Sequence, residues 1–217
     1  MDDIVLICAT GRSGSTTLLR ILNTIPNSNI CGENCGSINS LLEYYKRIKI
    51  TTNDMTPKLT LQELEEQNIK PSWYNSYNYN EIVNQIKQMI ITMFKKDENT
   101  KVWGFKEIRY DKISIHYLSE FKELFPQTKV ILHIRENVDS QSQSGWHKTN
   151  PYAIQELKKL NQYFIDFSNK NSEWCYLFTF EQMLDKTNIE NMFCFLNHQD
   201  VYDETKIESI LNNNITD

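Results

Sequence analysis

The chain has 217 residues with a net charge of −5 at pH 7, and 40% of its residues are hydrophobic. That length suffices for one well-buried α/β domain, and the acidic balance lacks the basic excess of a general nucleic-acid binder. The acidic start of the sequence and the shortness of its apolar runs predict a cytoplasmic protein with neither a signal peptide nor a membrane span.

The first predicted elements are a strand, a loop and a helix. Residues 4–20 read IVLICATGRSGSTTLLR, in which the apolar run 4–7 precedes a Gly/Ser/Thr loop and residues 18–22 have helical spacing. Gly11 and Gly14 allow the loop to turn its N–H groups inward, and the N-terminus of the following helix favours an anion. Further donors are the hydroxyl groups of Ser13, Ser15, Thr16 and Thr17. The stretch therefore predicts a phosphate-binding loop.

This loop differs from the P-loop of nucleotide triphosphatases at one position. Residues 9–16 would fit (A/G)-x-x-x-x-G-K-(S/T) if Ser15 were lysine, so the usual clamp on the β and γ phosphates is missing. The cation within the loop is Arg12. Residues 12–17, RSGSTT, directly after a strand, resemble the phosphosulfate-binding loop of sulfotransferases that use 3'-phosphoadenosine 5'-phosphosulfate (PAPS), with Ser15 as an extra residue. The resemblance implies that this loop and Arg12 bind PAPS.

A candidate catalytic base follows the loop helix. Cys31-Gly32-Glu33-Asn34 returns towards the sheet edge, which allows Glu33 to face the same cleft as the loop. The stretch resembles the C-G-E-E of tyrosylprotein sulfotransferases, which includes the catalytic base, except that Asn34 replaces the second acid. The resemblance implies that Glu33 is the base. The alternatives are a base elsewhere in the chain, or a Glu33 that caps a helix or faces solvent.

A helix is predicted at 36–49, and residues 51–79 then lack a clean period. This polar stretch holds a cluster of aromatic residues, Trp73, Tyr74, Tyr77 and Tyr79. A long irregular segment in a compact domain is usually functional or disordered. We expect an acceptor-side insertion at 51–79, and the alternative is that the aromatic rings fill the domain core.

A strand is predicted at 101–107, after a helix at 80–94. In an open parallel sheet, ligands lie beyond the carboxyl ends of the strands, so Lys106 is expected to point into the same cleft as Arg12. Sulfotransferases close the corresponding strand with a lysine that touches the bridging oxygen of the donor, and Lys106 matches that lysine. The resemblance implies a catalytic Lys106, and the alternative is a solvated lysine at a strand end.

The apolar strand 129–134 ends at Arg135. Sulfotransferases carry an arginine at this point and a serine shortly after it, and both bind the 3'-phosphate of PAPS. Arg135 has the geometry to meet a phosphate with two parallel N–H bonds. The candidate serines are Ser140, Ser142 and Ser144. If a helix begins near residue 137, Ser140 and Ser144 share a face, and Ser144 is the predicted ligand.

The remaining pattern consists of a helix at 151–167, a strand at 175–181 and a helix at 188–197. Strands that alternate with helices predict an α/β fold with a central parallel sheet flanked by helices. The resemblance implies the sulfotransferase fold related to P-loop-containing nucleotide hydrolases. We expect a single sulfotransferase domain over residues 1–217.

The resemblance implies a PAPS-dependent sulfotransferase that moves a sulfuryl group to a hydroxyl or amine and releases adenosine 3',5'-bisphosphate. The acceptor could be a carbohydrate, a small molecule or a protein side chain. Arg12 and Lys106 would neutralise developing charge without a metal, and the cysteine spacing matches no zinc site. The alternatives are a P-loop-related kinase or NTPase, and a non-catalytic nucleotide-binding module.

Overall fold

A computed structural model of the protein describes residues 2–52, 61–68 and 78–213. The strands in this part of the chain are β1 (Asp3–Ala9), β2 (Ser28–Cys31), β3 (Val102–Glu107), β4 (Thr128–Ile134) and β5 (Cys175–Thr179). The α-helices are α1 (Ser15–Leu22), α2 (Ser37–Ile50), α3 (Leu61–Glu66), α4 (Tyr79–Phe94), α5 (Tyr117–Leu124), α6 (Val138–Ser142), α7 (Ala153–Lys170), α8 (Lys186–Leu196) and α9 (Glu204–Asn212). None of these described helices is long and apolar enough to cross a membrane.

The strands form one parallel sheet in the order β2-β3-β1-β4-β5. β1 pairs with two neighbours, and Leu6 lies opposite Phe105 of β3 on one side and Val130 of β4 on the other. β2 and β3 lie on one side of β1, and the later strands β4 and β5 lie on the other. In open α/β sheets this switch point is where ligands bind, beyond the carboxyl ends of the strands. The predicted fold class, a central parallel sheet flanked by helices, is confirmed.

Helices cover both faces of the sheet. Leu6 and Cys8 of β1 pack in a core cluster with residues of α2, α4, α5 and α7. Ile7 and Ala9 face the other way and pack in a second cluster with residues of α1, α8 and α9. Because side chains alternate along a strand, a strand buried on both faces reads as an unbroken apolar run. That is the pattern from which β1 was predicted.

The expected acceptor-side insertion, residues 51–79, is described only in part. Leu61–Glu66 forms α3, and Tyr79 begins α4, where its hydroxyl donates to the Tyr45 hydroxyl at 3.3 Å. The other aromatic residues predicted to act here lie outside the described residues: Trp73, Tyr74 and Tyr77. The acceptor-facing role of the insertion stays a prediction.

The pairing of β1 with β3 requires a residue without a side chain at Gly104. A Cβ atom at this position would overlap the backbone carbonyl oxygen of Val5, its partner in β1. That oxygen belongs to the strand ladder, so it has no room to move away. Gly104 thereby sets how closely β3, which carries Lys106, lies to the strand that precedes the predicted phosphate-binding loop.

We expect Gly104→Ala to lower the free energy of unfolding by about 3 kcal/mol or more, because a backbone clash inside a sheet cannot be relieved by a rotamer change. Gly32→Ala is the matched control, since nothing lies within 4 Å of the Cβ atom that it would add. Urea denaturation of both variants measures the difference. Equal midpoints would show that the β1–β3 ladder accommodates a methyl group.

Candidate active site

A cleft of about 400 Å³ opens beyond the carboxyl ends of β1, β3 and β4. Its polar wall contains cations, a carboxylate and hydroxyl groups, contributed by Arg12, Lys106, Arg135, Glu33, Ser15, Thr16, Thr17 and Ser144. Its apolar wall contains Ile108, Trp146, Phe180, Met183, Leu184, Ile210 and Leu211. The sheet thus brings together side chains from motifs that are far apart in the sequence.

The loop between β1 and α1 has a backbone suited to an anion. Gly14 has a φ of 86° and occupies the N-cap of α1, where it offers no side-chain acceptor to the first amide N–H groups of the helix. Arg12 has a φ of 64°, in the left-handed region that is uncommon for a residue with a Cβ atom. Gly11 and Ser13, both predicted to bind the ligand, do not line the cleft: Gly11 packs against the ring of Trp146, and the Ser13 hydroxyl is buried.

Buried polar side chains hold this loop against the sheet. His133 of β4 is fully buried, with Nε2 2.8 Å from the carbonyl oxygen of Ser13 and Nδ1 2.9 Å from that of Phe178. Burial lowers the pKa of His133 to about 4, although the two carbonyl oxygens favour the protonated ring. Gln141 of α6 donates to the carbonyl oxygen of Gly11 at 2.7 Å. The loop is therefore fixed from two sides before any ligand binds.

Arg12 and Arg135 donate to different serines. Arg12 Nε donates to Ser144 Oγ at 3.0 Å, and Arg135 Nη2 donates to Ser140 Oγ at 2.9 Å. The Arg135 guanidinium also lies 4.4 Å from the centre of the Phe180 ring. Its Nε atom is buried and has no hydrogen-bond partner within the described ranges. A buried donor without a partner at the edge of a cleft suits a ligand that is rich in acceptor oxygens.

Ser144 lines the cleft, but not through the helical spacing that the sequence predicted. Helix α6 ends at Ser142, so Ser140 and Ser144 do not share a helical face, and that part of the prediction is wrong. Ser144 instead has an extended backbone, with φ −116° and ψ 140°, just before the 3₁₀ helix Gly145–Thr149. The assignment of Ser144 as a phosphate ligand stays a prediction, and Ser140 is a second candidate because it contacts Arg135.

Glu33 lies between two cations. Its Oε1 accepts from Lys106 Nζ at 2.7 Å, and its Oε2 accepts from Arg109 Nη1 at 2.9 Å. The Lys106 side chain is 7% exposed and the Glu33 side chain 29% exposed, so the carboxylate is fixed at both oxygens and still reaches the cleft. Lys106 and Arg12 line the same cleft, in agreement with the expectation from the sequence.

Glu107, the next residue of β3, holds the loop that carries Glu33. Its buried carboxylate accepts hydrogen bonds from the backbone N–H groups of Asn34, Gly36, Ile108 and Arg109 and from the guanidinium of Arg109. Burial alone would raise the pKa of Glu107, but these donors outweigh burial and lower it below the ordinary value. Glu107 is 1% exposed and does not line the cleft, whereas Glu33 does, so Glu107 is placed to position the neighbouring groups.

Two contributors to the site were missed by the sequence analysis. Arg109 donates to both carboxylates, and the signal for it was a second cation just after the strand that ends in Lys106-Glu107. Helix α9 was also missed, although Ile207, Ile210 and Leu211 have the spacing of a buried helical face. α9 adds two apolar side chains to the cleft wall.

Comparison with known proteins gives consistent results. A sequence model of the sulfotransferase family matches residues 4–185. The sulfotransferase domain of the olefin synthase from Synechococcus PCC 7002 is similar with a TM-score of 0.57 and 21% identity, covering 95% of this chain and 77% of that one. The sulfotransferase domain from the curacin biosynthetic pathway gives a TM-score of 0.52 and 20% identity, with the same coverage. At these identities the likeness shows the fold. A search of curated proteins gives no match.

We expect Glu107→Gln to lower the free energy of unfolding at pH 7 by about 2–3 kcal/mol, because an amide cannot accept from all the buried N–H donors. The pKa of Glu107 is lower in the folded protein, so its stabilisation is present above the ordinary carboxyl pKa of 4.5 and is lost as the pH falls through the folded value. The gap between wild type and variant should therefore narrow in acid.

Urea denaturation at pH 7 and below pH 4.5 measures this gap. Glu43→Gln is the control, since Glu43 pairs with Arg47 on an exposed helix surface, where an ion pair contributes roughly 0–1 kcal/mol. A loss at Glu107 no greater than the loss at Glu43 would contradict the positioning role.

Proposed function

This chain belongs to the sulfotransferase family, and from that premise we propose that it moves a sulfuryl group from PAPS to a hydroxyl or amine of an acceptor. The observation that carries the proposal is the convergence of Arg12, Lys106 and Arg135 with Glu33 in one cleft. Three cations give the charge needed to bind a polyanionic donor, and a carboxylate among them gives a proton acceptor. The products would be a sulfated acceptor and adenosine 3',5'-bisphosphate.

The chemistry of the cleft fits PAPS. Its cations and the N-terminus of α1 match the negative charge of two phosphate positions and a sulfate. The buried Nε of Arg135 matches an anionic oxygen, which would satisfy a donor that is otherwise costly to bury. The apolar wall that includes Phe180, Ile210 and Leu211 suits the face of a purine ring.

When bound, PAPS supplies a sulfuryl group on a phosphate leaving group. Arg12 and Lys106 would stabilise the charge that develops on peripheral and leaving oxygens, as preorganised cations do in phosphoryl transfer. Glu33 would accept the proton of the acceptor hydroxyl or amine. Lys106 would contact both the donor and the base, because its Nζ lies 2.7 Å from Glu33 Oε1.

The two alternative functions have less support. A P-loop-related kinase or NTPase would need another cation in place of the usual lysine, because this chain has Ser15 there, 5% exposed at the start of α1, and the family match favours sulfuryl transfer. A non-catalytic binding module was favoured if Glu33 lay far from the phosphate-binding loop. Glu33 instead lines the same cleft as the loop residues Thr16 and Thr17.

The donor is tested by thermal shift. Adenosine 3',5'-bisphosphate should raise the melting temperature without magnesium, because a ligand that binds only the folded state stabilises it. Arg135→Ala should weaken its binding by about 1.5–3 kcal/mol, the value of a charge-assisted phosphate contact, and should weaken adenosine 5'-phosphate binding far less.

Arg20→Ala serves as the control, since Arg20 is exposed on α1 and does not line the cleft. Stabilisation by ATP with magnesium alone would favour the kinase alternative and overturn the PAPS assignment. Equal losses for both adenosine nucleotides in Arg135→Ala would show that Arg135 does not contact the 3'-phosphate.

The base is tested by Glu33→Gln. The substitution keeps the shape of the side chain and removes its basicity, so turnover should fall about 100-fold or more while the affinity for adenosine 3',5'-bisphosphate changes little. An acidic phenol that is already ionised at the assay pH needs no base, so it should recover much of the lost rate, and an aliphatic alcohol should not.

Steady-state assays with both acceptors measure this contrast, with Glu43→Gln as the control because Glu43 lies on an exposed helix surface. Near-normal turnover of an aliphatic alcohol by Glu33→Gln would show that Glu33 has a structural role and that another group takes the proton.

A further inference from the structure

Glu33 also lines a second cavity, of about 500 Å³. Glu33, Ile108 and Trp146 line both this cavity and the cleft that holds the cations, so the two spaces meet at the candidate base. Lys106 and Arg135 line the cationic cleft and not the second cavity. The second cavity is therefore placed to deliver an acceptor to Glu33 without occupying the site of the donor.

The walls of the second cavity are mainly apolar. Leu157 and Leu160 of α7 are three residues apart and face it from one side, while Ile108 and Trp146 face it from the side of the cleft. Leu157 is 3% exposed and Trp146 is 56% exposed, so the lining runs from the core to the open surface. An acceptor that entered here would lay its body along hydrocarbon and its reacting end at Glu33.

The polar side chains that line the cavity are Glu33, Arg109 and His147. Glu33 and Arg109 are joined by the 2.9 Å ion pair, and His147 Nε2 lies 3.3 Å from the carbonyl oxygen of Gly11. A sugar has a hydroxyl on almost every carbon and would lose hydrogen bonds to water along the apolar walls. An alkyl or aryl group gains free energy in the same place.

We propose that the acceptor is an alcohol with an apolar body, alkyl or aryl, that lies in this second cavity with its hydroxyl at Glu33. This inference rests on the proposed sulfotransferase function and narrows its acceptor from the wider set of hydroxyl compounds. The acceptor oxygen forms the new bond to sulfur as its proton passes to Glu33. The bond between sulfur and the donor phosphate breaks, and its electron pair remains on the phosphate oxygen.

The test uses 1-butanol, 1-hexanol and 1-octanol, with methyl glucoside as the sugar acceptor. Transfer from radiolabelled PAPS gives kcat/KM, and calorimetry in the presence of adenosine 3',5'-bisphosphate gives the affinity of each alcohol. Both kcat/KM and the affinity should rise about two- to fourfold per added methylene group, where fourfold corresponds to a fully buried methylene. Methyl glucoside should be the poorest acceptor.

Leu160→Ala should flatten this dependence and raise the KM for 1-octanol about fivefold or more, with the affinity for adenosine 3',5'-bisphosphate unchanged. Ile165→Ala is the matched control, because Ile165 is also a partly buried residue of α7 that packs on the same core cluster but does not line the cavity. It should leave the KM for 1-octanol unchanged.

Affinity without chain-length dependence, or a preference for methyl glucoside, would overturn the inference while adenosine 3',5'-bisphosphate binding still supported the proposed function. Failure to bind that nucleotide and to transfer sulfate to any acceptor would overturn the proposed function. In that case the calorimetric chain-length dependence and its loss in Leu160→Ala would still support the second cavity as an apolar alcohol site.

Discussion

The candidate site depends on a carboxylate that takes no part in the proposed chemistry. Glu107 is buried at the end of β3, and its oxygens accept hydrogen bonds from the backbone N–H groups of Asn34 and Gly36 after β2 and of Ile108 after β3. Each donor would be costly to bury without an acceptor, so the ionised carboxylate and the folded loop require each other. The backbone of Asn34 and Gly36 is fixed by this contact, and Glu33 is the residue directly before them. A charge in the core thus determines where the proposed base lies.

Preorganisation extends to the loop that is proposed to bind phosphate. Arg12 and Gly14 have left-handed backbones, and His133 and Gln141 contact the carbonyl oxygens of the neighbouring residues Ser13 and Gly11. The first residues of α1, Ser15 and Thr16, line the cleft, and the cost of ordering this loop has been met during folding. Anion binding then needs little rearrangement of the chain, which is the condition under which fixed dipoles and cations stabilise charge most effectively.

The sequence predicted what depends on local pattern, and it failed where tertiary contacts decide. The apolar run of β1 is a clear strand pattern, and charged residues mark the ends of β3 and β4. The parallel sheet and the convergence of Lys106 with Arg12 could therefore be predicted. The length of α6 could not, because a short helix that ends at Ser142 is set by its packing and by the loop after it. Arg109 was overlooked for a similar reason, since its importance comes from partners on other elements.

Glu33 lines two spaces that differ in polarity, the cationic cleft and the second cavity. The cleft contains Arg12, Lys106 and Arg135, and the second cavity contains the hydrocarbon of Leu157 and Leu160 beside Arg109, with Trp146 lining both. An apolar body in the second cavity would displace water from around Glu33 and its cations. Electrostatic interactions strengthen when water is excluded, so an acceptor of this kind would increase the effect of Arg12 and Lys106 as it binds. A strongly hydrated acceptor would carry water to the same point and weaken those interactions. On the proposed function, the apolar lining would therefore contribute to rate as well as to selectivity.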